Sequence, residues 1–173
     1  TDAAFRSWAS GVHNAILSLG WITSSDSGQL NINTVSKPTA SGHFPVYAVY
    51  RMTDALQTSS PSSSVYMRLE YGAGNSQNLP QIAFWTANTT DGSGSVTGQA
   101  ISNRRLIGGV QSPGALAYVS YFSGDTHRIA VCMWQAQAST GAGFFSIERG
   151  HNDDGTDNAN IIYVVSGQAG NAT

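Results

Sequence analysis

The sequence predicts a mainly β protein: one antiparallel β-sandwich, jelly-roll-like, preceded by a single amphipathic α-helix. Three observations predict it. Apolar and polar residues alternate along several short runs, most cleanly in Val65-Tyr-Met-Arg-Leu-Glu-Tyr71, and a period of two marks a strand with one buried face. Clusters of Gly, Asn, Asp, Ser and Pro separate these runs, as turns between antiparallel strands require. Only the N-terminal stretch carries apolar residues at spacings of three and four. A chain of 173 residues, 40% of them hydrophobic, suffices for one domain with one core. The expected organisation is a single domain over residues 1–173, with the helix at 2–19, the sandwich at 30–166 and a short tail at 167–173.

The helix begins where Asp2 can cap it, presents Phe5, Trp8, Val12, Ile16 and Leu19 along one side, and meets Gly20 at its end. A helix of this length is marginal alone in water. Its apolar side must dock, either on the sheets of its own subunit or on another protein, and these five residues are the candidate interface. After Trp21-Ile22 and the turn-rich Ser24-Ser-Asp-Ser-Gly28, the run Leu30-Asn-Ile-Asn-Thr-Val35 alternates as a half-buried strand would. Lys37-Pro38 and Gly42 break that pattern. His43 to Tyr50 reads as a strand with Phe44, Val46, Ala48 and Tyr50 on one face, and Pro45 near its start points to a sheet edge. Thr53 to Ser64, with Pro61 and a serine run, reads as a long loop, with a short helical turn conceivable through Asp54-Ala-Leu56.

Val65 to Tyr71 places Val65, Met67, Leu69 and Tyr71 inward and Tyr66, Arg68 and Glu70 outward, a sheet with one wet face. Gly72 to Leu79 is a turn or loop, Gln81 to Thr86 the next strand, and Asn88-Thr-Thr-Asp-Gly-Ser-Gly94 a strong turn closing on a strand from Val96 to Ile101. Leu116 to Phe122 is expected to turn tightly at Ser123-Gly-Asp125 into Arg128-Ile-Ala-Val-Cys-Met-Trp134. Phe144 to Arg149 then sets Phe145 and Ile147 against Phe144, Ser146 and Glu148, and a polar turn from Gly150 to Asn158 leads into Ile161-Ile-Tyr-Val-Val165. The total is about nine strands, the pattern of an antiparallel sandwich.

Charged residues are only 10% of the chain, against about a quarter in an average soluble protein, and the net charge is −2. Arg104-Arg105 is the one basic doublet, so no electrostatic footprint for nucleic acid is present. Binding to acidic membranes is disfavoured on the same ground. No apolar stretch reaches membrane-spanning length, and the N-terminus has no signal-peptide pattern. The single Cys132 excludes an intrachain disulfide and, within an apolar strand, reads as a small hydrophobe.

Residue patterns for chemistry are sparse. The loop Asn152-Asp-Asp-Gly-Thr-Asp157 gathers oxygen ligands, but it lacks the remaining ligand positions and the bidentate Glu of an EF-hand, so it reads as a structural turn, with a weak calcium site as the alternative. Glu70 and Glu148 both stand beside arginines on outward strand positions, which suggests cross-strand ion pairs. His13, His43, His127 and His151 are dispersed without zinc-site spacing and read as surface residues. Neither a nucleophile elbow nor a phosphate-cradling glycine motif occurs. The reading is of a non-enzyme with no cofactor and no metal. Trp85, Tyr118, Tyr121 and Trp134 could form a sugar-stacking face if they share the solvent side of one sheet.

Four segments are similar to small β-rich virion proteins of tailed bacteriophages: Phe5-Arg-Ser-Trp8 opening the helix that runs to Leu19-Gly20, Tyr50-Arg-Met-Thr-Asp-Ala-Leu56, Arg68-Leu-Glu-Tyr-Gly72, and Phe145-Ser-Ile-Glu-Arg149 before an Asp/Gly turn. The resemblance spans most of the chain and implies a virion structural protein, a tail, baseplate or fibre-associated subunit acting through protein contacts. Its implied alternatives are a capsid decoration protein and a lectin-like module for host surface glycans. The implied partners are other copies of itself, as a trimer or higher ring, and other phage virion proteins. The implied location is the virion, assembled in the host cytoplasm and then extracellular. The resemblance brings no catalytic residues. A surface of small uncharged polar groups suits such a role, because many copies can pack together with little like-charge repulsion and little salt sensitivity.

Overall fold

The structure, a computed structural model, describes residues 1–57, 63–73, 81–97, 105–108, 118–135 and 143–166. The chain opens with α1, Asp2–Ser18. Its cap is Thr1 rather than Asp2: the Thr1 hydroxyl accepts from the Ala4 amide at 3.2 Å. Asp2 lies in the first turn, where a carboxylate meets the positive end of the helix, and it accepts from the Lys37 amide at 2.9 Å. Gly20, at φ 92°, follows the last turn in the left-handed conformation that only glycine adopts freely.

Eleven strands follow among the described residues: β1 Ile22–Thr23, β2 His43–Arg51, β3 Tyr66–Ala73, β4 Gln81–Ala87, β5 Thr89–Thr90, β6 Val96–Thr97, β7 Arg105–Gly108, β8 Tyr118–Asp125, β9 Arg128–Gln135, β10 Gly143–His151 and β11 Asp157–Ser166. One sheet has the order β1-β2-β3-β4-β7, a second β11-β10-β9-β8, and β5 and β6 form a separate hairpin. All pairings are antiparallel. The sandwich with its one N-terminal helix is as the sequence predicts, and among the described residues each sheet runs as a meander. In the four-stranded sheet strands adjacent in sequence are adjacent in space, and in the five-stranded sheet β7 lies beside β4 after the β5–β6 hairpin.

Three local expectations also change. Leu30 to Val35 is not a strand: the Asn31 side chain accepts from the Asn33 amide at 3.1 Å, and the Asn31 carbonyl accepts from Thr34 at 3.2 Å and Val35 at 3.1 Å. Asparagine thereby closes a turn that competes with the ladder, while Leu30 and Val35 still pack on the core. The turn between β8 and β9 falls at Thr126–His127, two residues beyond the expected Ser123–Asp125. Gly124 lies within β8, where a Cβ would come 2.3 Å from the Arg128 carbonyl oxygen, so the close approach of the two strands requires glycine. Strand β7, which begins at Arg105, carries no alternation strong enough to have been expected. Residues 58–62, 74–80, 98–101 and 167–173 of the expected loops, strand and tail lie outside the described residues, as does Arg104.

Period-two alternation sets the core. Met67, Leu69 and Tyr71 from β3, Ile82 and Phe84 from β4, Ile129, Val131 and Met133 from β9, and Phe145 and Ile147 from β10 form one buried cluster. The rings of Phe84 and Phe145 stack across the sheets at 4.3 Å, inclined by 23°. Helix α1 joins the same cluster through Phe5, Ala9, Val12 and Ile16, and Trp21 locks the helix end by donating to the carbonyls of Asp125 at 3.0 Å and Arg128 at 3.3 Å.

Two polar clusters are set within this apolar body. Arg149 continues the inward face of Phe145 and Ile147 and is fully buried. Its guanidinium donates to both Asp54 oxygens at 2.8 and 3.0 Å and to the Ser63 carbonyl, which ties the β2–β3 connection to β10. The Tyr50 and Tyr71 hydroxyls share a hydrogen bond of 2.5 Å, extended to His13 Nδ1 2.6 Å from Tyr50. Burial, above all, pushes both tyrosines up and His13 down.

Removing one partner of a buried ion pair strands the other, at a cost of about 3–5 kcal/mol. Asp54→Ala is therefore expected to lose about that much unfolding free energy in urea titrations, and Asp54→Ala with Arg149→Met to recover most of it. His13 is folded preferentially in its neutral form. Its contribution is full above the unfolded value of about 6.5 and declines as the pH falls toward the depressed folded value. Stability curves between about pH 7 and pH 5 should fall less steeply for His13→Gln than for the parent protein.

Candidate functional site

The two sheets treat their outer faces differently. On the five-stranded sheet, Arg68 lies over the Tyr47 ring at 4.2 Å and 5.5 Å from the Trp85 ring, and it pairs with Glu70 at 2.7 Å. The β5–β6 hairpin folds down on this cluster. Arg68 donates to the Gly94 carbonyl at 2.5 Å, and Tyr47 donates to the carbonyls of Ser27 and Ser93. Asp26, itself buried, fastens the hairpin by accepting from the Gly94 amide at 2.8 Å, the Ser24 hydroxyl at 2.5 Å and the Thr90 hydroxyl. The chain thus covers its own outer face there.

The outer face of the four-stranded sheet is built otherwise. Register places Tyr121, Cys132 and Phe144 in one row across β8, β9 and β10, Ser123, Ala130, Ser146 and Val164 in the next, and Asp125, Arg128, Glu148 and Ile162 in a third. Tyr121 is 63% exposed, Ile162 52% and Val164 47%. Ile162 and Val164 neighbour one another on β11 and Tyr121 stands on the opposite edge strand, β8; exposed large apolar side chains on a sheet face are what a protein contact buries. The charged groups sit at one end, where Arg128 pairs with Asp125 at 2.9 Å and Glu148 lies 3.7 Å from His151. Beyond them Asp157 stands 3.0 Å from His151 and 3.5 Å from His127, whose other ring nitrogen is 3.2 Å from Asp125. This arrangement can hold an apolar, charge-flanked partner surface.

The residues singled out in the sequence are distributed unevenly over this picture. Phe5, Val12 and Ile16 are buried in the chain's own core, and Trp8 and Leu19 pack against it. The helix therefore docks on its own sheets, and its apolar stripe is not an open interface, because the sandwich buries that stripe. Glu70 pairs with Arg68 on its own strand, and Arg149, next to Glu148 in sequence, points inward to Asp54 while Glu148 stands opposite Arg128 of β9. His127 and His151 are drawn together, with ring centres 6.1 Å apart, while His13 is half-buried, so neither dispersal nor simple surface placement describes them.

Asp154 of the acidic loop accepts from the Thr156 amide at 2.9 Å and hydroxyl at 2.6 Å, which holds its carboxyl below the ordinary range. Asn152 donates to the Thr156 hydroxyl at 2.9 Å. These oxygens tie the turn to itself, and among the described residues no group of three or more His, Cys, Asp or Glu is placed to hold a metal. Trp85 and Tyr121 lie on different sheets, so they cannot share a sugar-stacking face. The side chains of Tyr118 and Trp134 lie outside the described residues. Cys132 is half-buried on the outer face beside Tyr121 and Phe144. No described helix is long and apolar enough to cross a membrane.

Ile162 and Val164 were open to detection from sequence. Ile161 to Val165 is apolar without interruption where the neighbouring strands alternate, and a strand apolar on both faces must bury or expose one of them. Comparison with family profiles, with curated proteins and with solved structures finds no match.

With the Asp154 carboxylate engaged by Thr156, calorimetric titration with calcium at millimolar concentration is expected to give no binding heat. A saturable heat abolished by Asp154→Ala would show instead that the loop opens to take the ion.

Proposed function

We propose that the chain is a structural protein of a tailed-bacteriophage particle, a tail, baseplate or fibre-associated subunit that works through protein–protein interfaces and carries out no chemistry. The observation that carries the reading is the open outer face of the four-stranded sheet, with Ile162 and Val164 exposed along one edge strand and Tyr121 on the other. The four segments resembling phage virion proteins and the low charge of the chain support it. A sandwich strapped on one side by its own hairpin and bare on the other suits a subunit that is covered by neighbours in an assembly.

The reading is tested on particles. Mass spectrometry of purified virions from cells producing this chain should find it in fixed copy number. Val164→Glu, which places a charge on the bare face at its β11 edge, should leave β-rich circular dichroism intact and cut incorporation at least about tenfold. Particles that lack the chain, or turnover of a glycan by the purified protein, would overturn the assignment.

A further inference from the structure

We infer that the bare face of the four-stranded sheet is a contact between two copies of this chain, related by a two-fold axis that lies along the strands between β9 and β10. This rests on the preceding section only in taking the face as a protein contact. The virion assignment can fail without it.

The charges select the partner. Register sets Arg128 on β9 directly beside Glu148 on β10, and their side chains are 56% and 39% exposed. When two such sheets pack face to face about that axis, β9 of each copy lies over β10 of the other at the same height. Arg128 then stands over the partner's Glu148, and Glu148 over the partner's Arg128, so both pairs form at once. Along the same axis Cys132 comes over the partner's Phe144, while on the outer strands Val164 comes over the partner's Ser123 and Ile162 over the partner's Asp125. Any isologous contact must be complementary to itself, and the Arg128–Glu148 centre of this face is.

Other axes do less well. An axis across the strands would lay the charged row on the row of Cys132 and Phe144, burying charge against apolar surface without a partner. An axis between β8 and β9 would leave Ile162 and Val164 on β11 uncovered. The central axis alone covers all four strands and pairs the charges.

Size sets the strength. Four strands at about 4.8 Å and about seven residues at about 3.4 Å give a face of about 450 Å², well short of the roughly 800 Å² per partner of a standard interface. The contact should therefore be weak and concentration-dependent for the free protein, and should tighten where copies are already held close together in an assembly.

The test uses charge reversal and mixing. Sedimentation velocity of the intact chain up to about millimolar concentration is expected to show dimers. Arg128→Glu alone and Glu148→Arg alone each place like charges opposite one another in both pairs, and each should weaken association at least about tenfold. An equimolar mixture of the two variants restores both pairs and should associate as the parent does. Val164→Ser should weaken association without any change of charge. Circular dichroism of each variant confirms that these exposed positions leave the fold intact. A parent protein that stays monomeric, association indifferent to both reversals, or a mixture no better than either variant alone would overturn the inference, as would particles in which this face meets a different protein. The solution outcomes do not bear on whether the chain is found in virions, which is read separately by mass spectrometry.

Discussion

Each sheet of this protein has one apolar face, and neither is stable in water until the other covers it. The stacking of Phe84 on Phe145 marks the line along which that happens. Everything else in the interior follows from closing this layer. The helix fills the remaining open side with Phe5, Ala9, Val12 and Ile16, and Trp21 ties its end to the β8–β9 turn through two backbone carbonyls. The strict alternation that builds the layer also carries Arg149 inside, two positions beyond Ile147. A buried guanidinium has to be answered, and the answer from Asp54 and the Ser63 carbonyl fixes a connection that would otherwise be a loose loop.

The same constraint explains the contrast between the outer faces. A two-layered sandwich leaves two faces toward solvent, and a chain with few charges has limited means of wetting them. On the five-stranded sheet the solution is internal: Tyr47, Arg68 and Trp85 are covered by a hairpin that Asp26 holds in place. On the four-stranded sheet Tyr121, Ile162 and Val164 remain open. An apolar face beside a complementary pair of charges suits contact with another protein, and the central position of Arg128 and Glu148 in the charged row suits contact with a second copy. Under the proposed function such a protein contributes shape and adhesion to an assembly, and some of its loops hold their own turns. The Asp154–Thr156 bonds are an instance.

Much of the architecture was legible in the sequence. Val65 to Tyr71 alternates cleanly enough to assign every side chain to its face, and the helix, the β2, β4, β9 and β10 strands and the sandwich itself follow from local periodicity. Asparagine chemistry was harder to weigh. Leu30 to Val35 alternates like a strand, yet Asn31 bonds its own backbone and closes a turn, a choice made by a few short-range hydrogen bonds that hydrophobic pattern does not register. Of the candidate site, the unbroken apolar run from Ile161 to Val165 was visible, but not which of its two faces would be buried.

What the sequence by itself determined is the set of faces, because side-chain direction along a strand is fixed by the geometry of each residue and needs no partner. What only the tertiary structure decided is which faces meet. The meander order of the two sheets, the docking of the helix stripe on its own core, the pairing of Arg149 with a residue 95 positions away and the gathering of His127 and His151 around Asp157 all depend on contacts between distant segments. Those contacts form only when the whole apolar surface is buried together, so no stretch of sequence read alone contains them.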